Sequence, residues 1–395
     1  MSSALRSSDP TGPSRLADLV GQARAATVLR NALRRGRVAH AYLFRGPSNV
    51  GKSTAAGLFT QALNCLDEAA RAAGEACGVC RSCQLILEGS HPDVRLLTTS
   101  GNRETTVIPI KEMRDSLVYD IHLKPVLGRH KVYVLDPADR TAPQAIHTIL
   151  KSLEEPPPYV VIILVTARPS TLTPTVPSRC QQVTFQLAGT AAIETHLVQL
   201  GLDPAAAASL AALSGGRIGW AITASQRPEV LSVRRELLDL CLRLDGLSLP
   251  ESLRLAEDIK GLARELAEAR SEAPEAEEED EEEAEGAAAG KPGADRALRA
   301  ELPWCLDVMA LWYRDRLAAS QGAALVNPDY EAAIRSSLDA PGALSPTAAI
   351  ELVLAAKSQL QRNANVDLAL ESLAAALLSH PSDLAGGRHG AGGGA

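Results

Sequence analysis

The run Gly46, Pro47, Ser48, Asn49, Val50, Gly51, Lys52 and Ser53, followed by Thr54, has the GxxxxGK[ST] spacing of a loop that holds phosphate. The two glycines let the backbone curl until its N–H groups point inward. A helix opening at Lys52 adds the positive end of its dipole. The Lys52 ammonium neutralises charge on the β- and γ-phosphates, and the Ser53 hydroxyl is a ligand for Mg²⁺. At ~7% glycine per position, a chain of this length meets the pattern by chance in roughly 1–2% of cases. The apolar run from His40 to Arg45 reads as a strand entering the loop, and Lys52 to Cys65 reads as a helix leaving it. That context favours ATP with Mg²⁺ over a glycine-rich turn that merely caps a helix.

A nucleotide site of this kind needs an acid at the end of a neighbouring strand to hold Mg²⁺ through water. Asp136, after Lys131-Val-Tyr-Val-Leu135, fits. The next residue is Pro137, which can accept no proton, where an active hydrolase needs a general base. Losing such a base forfeits ~10²–10⁴ in rate. The sequence therefore favours nucleotide binding over hydrolysis, with Asp139 or Glu154 as the substitutes to consider. Thr166 ends the run Tyr159–Thr166, where a hydroxyl can meet a γ-phosphate or simply satisfy its own neighbours. Arg179 and Arg217 are loop arginines that can reach phosphate, although an exposed arginine is more often only surface.

Cys65, Cys77, Cys80 and Cys83 follow the spacing C-x11-C-x2-C-x2-C. Four soft thiolates suit tetrahedral Zn²⁺ and leave no open coordination position, so the expected role is structural. Free thiols are the alternative. A zinc knuckle that reads DNA is a further one, but residues 65–83 hold only Arg71 and Arg81 as basic side chains, which is thin for phosphate binding.

These side chains need a scaffold of two characters. Up to about residue 187, continuous apolar strands alternate with helical patterns (110–118, 143–155), which argues for a parallel sheet covered on both faces. Val183 to Leu187 reads as its last strand. From 190 on, the periodicity is helical only. The expected architecture is α/β followed by all-α. A disordered lead (1–15) precedes a phosphate-loop domain (16–187) carrying a zinc module (65–83). A small helical lid (188–227), a helical collar (228–381) and a flexible tail (382–395) follow. An acidic stretch (271–293) interrupts the collar. Its ten Asp and Glu residues account for the formal charge of −7, so the rest of the 395-residue chain is mildly basic. Such a body permits nucleic-acid contact without demonstrating it. No apolar run is long enough for a membrane span, and the seven cysteines, four of them clustered, suit a reducing compartment. A cytoplasmic location is expected.

Taken together, these motifs resemble the clamp-loader ATPases of the AAA+ class in bacterial DNA polymerase III. The resemblance runs from about 16 to 380. It rests on Leu19-Val-Gly-Gln22, His40–Phe44, the phosphate loop, the four cysteines, His91-Pro-Asp93, Lys131–Arg140, Leu150–Pro158, Ser178–Gln181 and Asn363–Glu371. It implies a three-domain AAA+ subunit in a five-membered ring of delta-prime, delta and tau/gamma subunits that places a sliding clamp on primed DNA. Arg179 would be an arginine finger acting in trans, Thr166 the first sensor and Arg217 the second. Asp136-Pro-Ala-Asp-Arg140 looks like the degraded second motif of the delta-prime branch. The motor branch (tau/gamma), the alternative, usually reads Asp-Glu-Ala-His there and carries a long extension, which the short Gly-rich stretch after Ser379 is not expected to supply. A stand-alone zinc-stabilised nucleic-acid-binding module is the weaker alternative. The acidic stretch lies outside the family pattern.

Overall fold

The structure, a computed structural model, describes residues 13–98, 120–141, 156–244, 252–271, 292–338, 344–362 and 364–378. The helices expected at 110–118 and 143–155, residue Glu154, most of the lead, the acidic run between 272 and 291, and the tail lie outside them. The chain divides into two compact units, Met1–Ile222 and Thr223–Ala395. The helices between 190 and 222 fall in the first unit, with the sheet.

In the first unit a 3₁₀ turn, Leu16–Asp18, leads into α1 (Ala23–Arg34), β1 (Ala41–Arg45) and α2 (Lys52–Asn64). The cysteine segment contributes two short helices, α3 (Glu68–Ala72) and α4 (Arg81–Leu87). Then follow β2 (Val94–Leu97), β3 (Lys131–Leu135), β4 (Val160–Thr166), α5 (Thr175–Arg179) and β5 (Gln181–Thr184). The last strand begins two residues earlier than its apolar pattern suggests. Its exposed residues Gln181, Gln182 and Thr184 mark an edge, where polar side chains are tolerated. The strands form one sheet, ordered β2-β3-β4-β1-β5, in which every pair is parallel.

Both faces of this sheet are buried, as a parallel sheet requires. On one face Tyr42, Phe44, Val132, Val134, Val161 and Ile163 meet Leu29 of α1 and Phe59 of α2. All three phenylalanines of the chain are in this cluster. Phe59 stands edge-on to Tyr42 at 5.0 Å, and Phe44 lies 5.3 Å from Phe185. On the other face Leu43, Tyr133, Leu135, Ile162 and Leu164 pack with Leu172 and Val176. The period-two alternation along β1 and β4 sends successive side chains into opposite clusters.

Beyond the sheet come α6 (Thr190–Gln199), α7 (Pro204–Leu213), whose first turn is capped by the Asp203 carboxylate, and α8 (Ile218–Ser225). The regular elements of the second unit's described residues are all helices: α9 (Glu229–Leu244), α10 (Ser252–Ser271), α11 (Pro292–Ser320), α12 (Glu331–Ser337), α13 (Pro346–Gln361) and α14 (Val366–Leu378). Trp312 of α11 is fully buried there. None of the described helices is long and apolar enough to cross a membrane.

Candidate nucleotide site and cysteine centre

The sheet's register gathers the site. Arg45, the last residue of β1, is opposite Thr166, the last residue of β4, and β3 ends one residue before Asp136. The phosphate-loop residues, Asp136 and Thr166 therefore emerge together at the carboxyl edge, where open parallel sheets bind ligands. The Asp136 N–H bonds the Leu97 carbonyl at 3.0 Å, which pins the end of β3 to β2.

The loop takes backbone conformations that its sequence anticipates. Gly46 has φ +149° and Gly51 φ +90°. A Cβ on Gly46 would stand 2.2 Å from the Phe185 carbonyl oxygen, so only glycine fits between β1 and the chain leaving β5. Lys52 is buried, and its ammonium donates to the Gly46 carbonyl at 2.8 Å and the Pro47 carbonyl at 2.5 Å. Burial lowers the Lys52 pKa, against the pull of Asp136 and Asp139. Asp136 is raised by burial and by the neighbouring Asp139 charge, which outweigh the Ser53 hydroxyl and Lys52. A carboxylate in that state gains from an added cation. The donor set thus suits a polyphosphate accompanied by a divalent ion. With such a ligand bound, the loop N–H groups and Lys52 would be the donors available to the anion, and Ser53 and Asp136 the oxygens available to the ion.

Thr166 donates its hydroxyl proton to Asp139 Oδ1 at 2.8 Å and accepts the Arg168 N–H at 2.9 Å. Arg168 Nε adds a 3.0 Å bond to Asp139 Oδ2. Burial pushes the Asp139 pKa up, but the Thr166 and Arg168 bonds outweigh it and hold the carboxyl below its usual range. Asp139 entered the sequence reading only as a substitute base. Its binding to Thr166 across 27 positions leaves no periodic signal.

The two arginines occupy different ends of this unit. Arg217 is exposed on the turn that opens α8, and the Gly219 N–H donates to the Asn49 carbonyl at 2.8 Å. That bond seats the turn on the phosphate loop. Arg179 ends α5, with Nη1 3.2 Å from the Thr175 carbonyl. It enters β5 from the opposite edge. Gln181 pairs with Tyr42, four residues or about 13 Å of strand before Gly46, and Arg179 precedes Gln181 again. Its position is away from the chain's own phosphate loop.

The cysteines converge as their spacing predicts. The sulfurs of Cys65, Cys77, Cys80 and Cys83 lie within 4.8 Å of one another, and those of Cys77 and Cys83 are 4.0 Å apart. Tetrahedral zinc with Zn–S bonds of about 2.3 Å needs sulfurs about 3.8 Å apart, so the set fits the ion. Cys80 is the N-cap residue of α4 and Cys83 lies on its first turn. Burial pushes the Cys65 and Cys83 thiols up. At Cys80 burial is overcome by the Cys83 and Leu66 N–H groups, which bring the thiol down to about 7. His91 and Asp93 buttress the unit. His91 Nε2 is 3.0 Å from the Ser82 hydroxyl, and Asp93 accepts the N–H groups of Val126, Leu127 and Gly128 at 2.6–2.7 Å.

Comparison with known proteins finds relatives over the first part of the chain. The family described as DNA polymerase III, delta subunit, matches residues 21–188. DNA polymerase III subunit tau/gamma of Haemophilus influenzae is 37% identical over 188 residues, which is 48% of this chain and 26% of that protein. DNA polymerase III subunit delta' of Bacillus subtilis is 32% identical over 220 residues, 55% of this chain and 64% of that one. The delta' subunit of Pseudomonas aeruginosa is 38% identical over 46% of this chain and 54% of its own. The chain thus spans about a quarter of the tau/gamma relative and less than two thirds of either delta' relative. A gamma-subunit-related protein of Thermotoga maritima aligns over 89% of this chain and 98% of its own, with 17% identity and a TM-score of 0.35. Over residues 21–188 the chain thus matches the family described as DNA polymerase III, delta subunit, and is similar there to delta' and tau/gamma subunits.

Proposed function

We propose that this protein is a delta-prime-type subunit of a bacterial clamp loader. It grips ATP with Mg²⁺ without turning it over and lends Arg179 to the nucleotide site of a neighbouring tau/gamma subunit. Pro137, directly after Asp136 at the end of β3, is the observation that carries this reading. The loop, Lys52, Ser53 and Asp136 supply the binding apparatus, while the position for a water-activating base holds a side chain that cannot take a proton. Bound ATP–Mg²⁺ would supply a polyphosphate and a hard cation. Residues Gly46–Thr54 would hold the phosphates, Ser53 and Asp136 the ion, and Thr166 and Arg217 would serve as the two sensors. Arg179, placed at the opposite end of the sheet from its own loop, is suited to stabilising transition-state charge next door. Structural Zn²⁺ on the four cysteines stiffens the unit. Residues 228–381 would form the helical collar that joins it to delta and tau/gamma in a hetero-pentamer acting on the sliding clamp and primed DNA.

A second reading, a motor subunit of the same complex, draws on the 37% identity to the tau/gamma relative. One experiment separates the two. The isolated chain should show no Mg²⁺-dependent ATP turnover. Mixed with tau/gamma and delta, it should support clamp- and DNA-stimulated hydrolysis that falls at least ~10-fold in Arg179→Ala. Turnover by the isolated chain, abolished by Lys52→Ala, would establish the motor reading instead.

A further inference from the structure

Glu75, between the first two cysteines, is buried, and its carboxylate joins three parts of the first unit. Oε2 accepts the Leu16 N–H at 2.8 Å and Oε1 the Ala17 N–H at 3.2 Å. Oε1 also lies 2.7 Å from Arg30 Nε on α1. The two amides open the 3₁₀ turn, so they are end-of-helix donors that need an acceptor from elsewhere. Gly74 presses on α1, where a Cβ would stand 2.7 Å from the Arg30 carbonyl. Two residues after Glu75, the Cys77 N–H rests 3.3 Å from Cys65 Sγ. The carboxylate is therefore held from behind by the cysteine cluster.

The contacts continue from that turn to the phosphate loop. Gln22 brackets Gln186, with its Nε2 2.7 Å from the carbonyl and its Oε1 3.1 Å from the N–H. Gly21 lies against Ala188, where a Cβ would approach to 2.5 Å. The Ala188 N–H bonds the Gly216 carbonyl at 2.9 Å, and Gly219 bonds Asn49 of the loop. Each step is a backbone or amide contact of short reach. A shift of the 16–22 segment must therefore be passed on or absorbed by a broken bond.

We propose that Glu75 is a positioning residue that ties the cysteine module to segment 16–22, so that zinc on the four cysteines fixes how the 216–219 turn sits on the phosphate loop. Its last step rests on the nucleotide-binding reading above. Metal bonds close the 65–83 segment on itself, and without them the turn carrying Glu75 loses its anchor. The Leu16 and Ala17 amides then open to solvent, while the Asp93-held amides of 126–128 do not.

The test is hydrogen exchange on the full chain, with zinc content and binding of a fluorescent ADP analogue measured in parallel. In Glu75→Ala, about one zinc per chain should remain, while the Leu16 and Ala17 amides exchange at least ~10-fold faster. The amides of 126–128 should be unchanged and analogue affinity should fall about 3–10-fold. Glu75→Gln, which keeps one acceptor oxygen, should fall between Glu75→Ala and the parent. Chelating zinc from the parent should reproduce the exchange pattern. Unchanged protection at 16 and 17, in zinc-loaded Glu75→Ala or in the chelated parent, would overturn the proposal. If Glu75→Ala does not fold, Glu75→Gln and the chelated parent decide it in the same way. Failure of the parent to bind the analogue at all refutes the nucleotide reading instead, and the exchange data still decide the role of Glu75.

Discussion

The hydroxyl of Thr166 gives its single proton to Asp139, 2.8 Å away, at the edge where the phosphate loop leaves the sheet. A threonine hydroxyl has one donor, so Asp139 and a γ-phosphate would compete for it. The parent should then bind ATP and ADP within about 3-fold of each other. Asp139→Ala frees the proton and should raise the preference for ATP about 10-fold, the worth of one hydrogen bond to a charged group. Removing the Asp139 charge also favours a more anionic ligand, and the double variant Asp139→Ala/Thr166→Val separates the two effects. Competition titrations with both nucleotides are the measurement. An ATP preference in the double variant equal to that of Asp139→Ala would show that the hydroxyl plays no part.

Gly46 gives a sharper steric expectation. A methyl group there meets the Phe185 carbonyl oxygen at 2.2 Å and occupies a backbone conformation at φ +149°. Gly46→Ala must displace either the start of the loop or the chain between β5 and α6. The strained backbone alone costs on the order of 1–3 kcal/mol. Both the melting temperature and nucleotide affinity should fall. The control Gly36→Ala, where φ is also positive (+61°) but no atom lies within 4 Å of the added Cβ, should cost less and leave affinity intact.

The parts of this site that the sequence made legible are those governed by local rules. Gly46 to Thr54 and the four cysteines carry fixed spacings, and β3 and β4 are unbroken apolar runs that fit only a sheet buried on both faces. What stayed hidden depends on approach across long separations. Val94–Leu97 is four residues with an arginine inside, too short and polar to announce β2. Glu75 finds its partners 58 and 59 positions away. Arg179 illustrates a third case. Its type and neighbours suggested phosphate, but only the pairing of Gln181 with Tyr42 shows which end of the sheet it occupies.

In the second unit, Arg234 of α9 is buried and forms a fork. Its two terminal nitrogens reach Asp329 at 2.7 and 2.6 Å, and Nη2 also meets Asn327 Oδ1 at 2.7 Å. The Asn327 backbone and side-chain N–H groups donate in turn to the fully buried Asp315, at 2.7 and 2.9 Å. Arg234→Ala leaves the Asn327 oxygen and Asp329 without this partner. Breaking a fully buried pair costs about 3–5 kcal/mol. The Asp329 side chain is 44% exposed, so a loss of about 2–3 kcal/mol is expected here. Arg234→Lys keeps the charge but not the fork and should recover only part of it. Denaturant unfolding followed by tryptophan fluorescence reports on this unit through the buried Trp312.

His91 makes the first unit sensitive to mild acid. Its Nδ1 accepts the Asp93 N–H at 3.1 Å, so in the neutral ring the proton is on Nε2, facing the Ser82 hydroxyl 3.0 Å away. Burial lowers the His91 pKa below its ordinary 6.5, more than the Asp93 charge raises it. Below pH 6.5 the unfolded chain therefore binds the proton first, and stability falls as the pH drops from 6.5 towards the folded value. Asp93 does not confuse this window. Although burial pushes it up, its three N–H bonds win and hold its pKa below 3.8, so its contribution is lost only in stronger acid. His91→Gln, which keeps a donor and an acceptor but does not titrate, should be somewhat less stable than the parent at pH 7.5. It should lose less on going to pH 5. His130 and His196, also lowered by burial, titrate in both proteins and cancel in the difference. If the melting temperatures of parent and variant ran parallel across pH 5–7.5, His91 would hold the same pKa folded as unfolded and contribute nothing to the acid response.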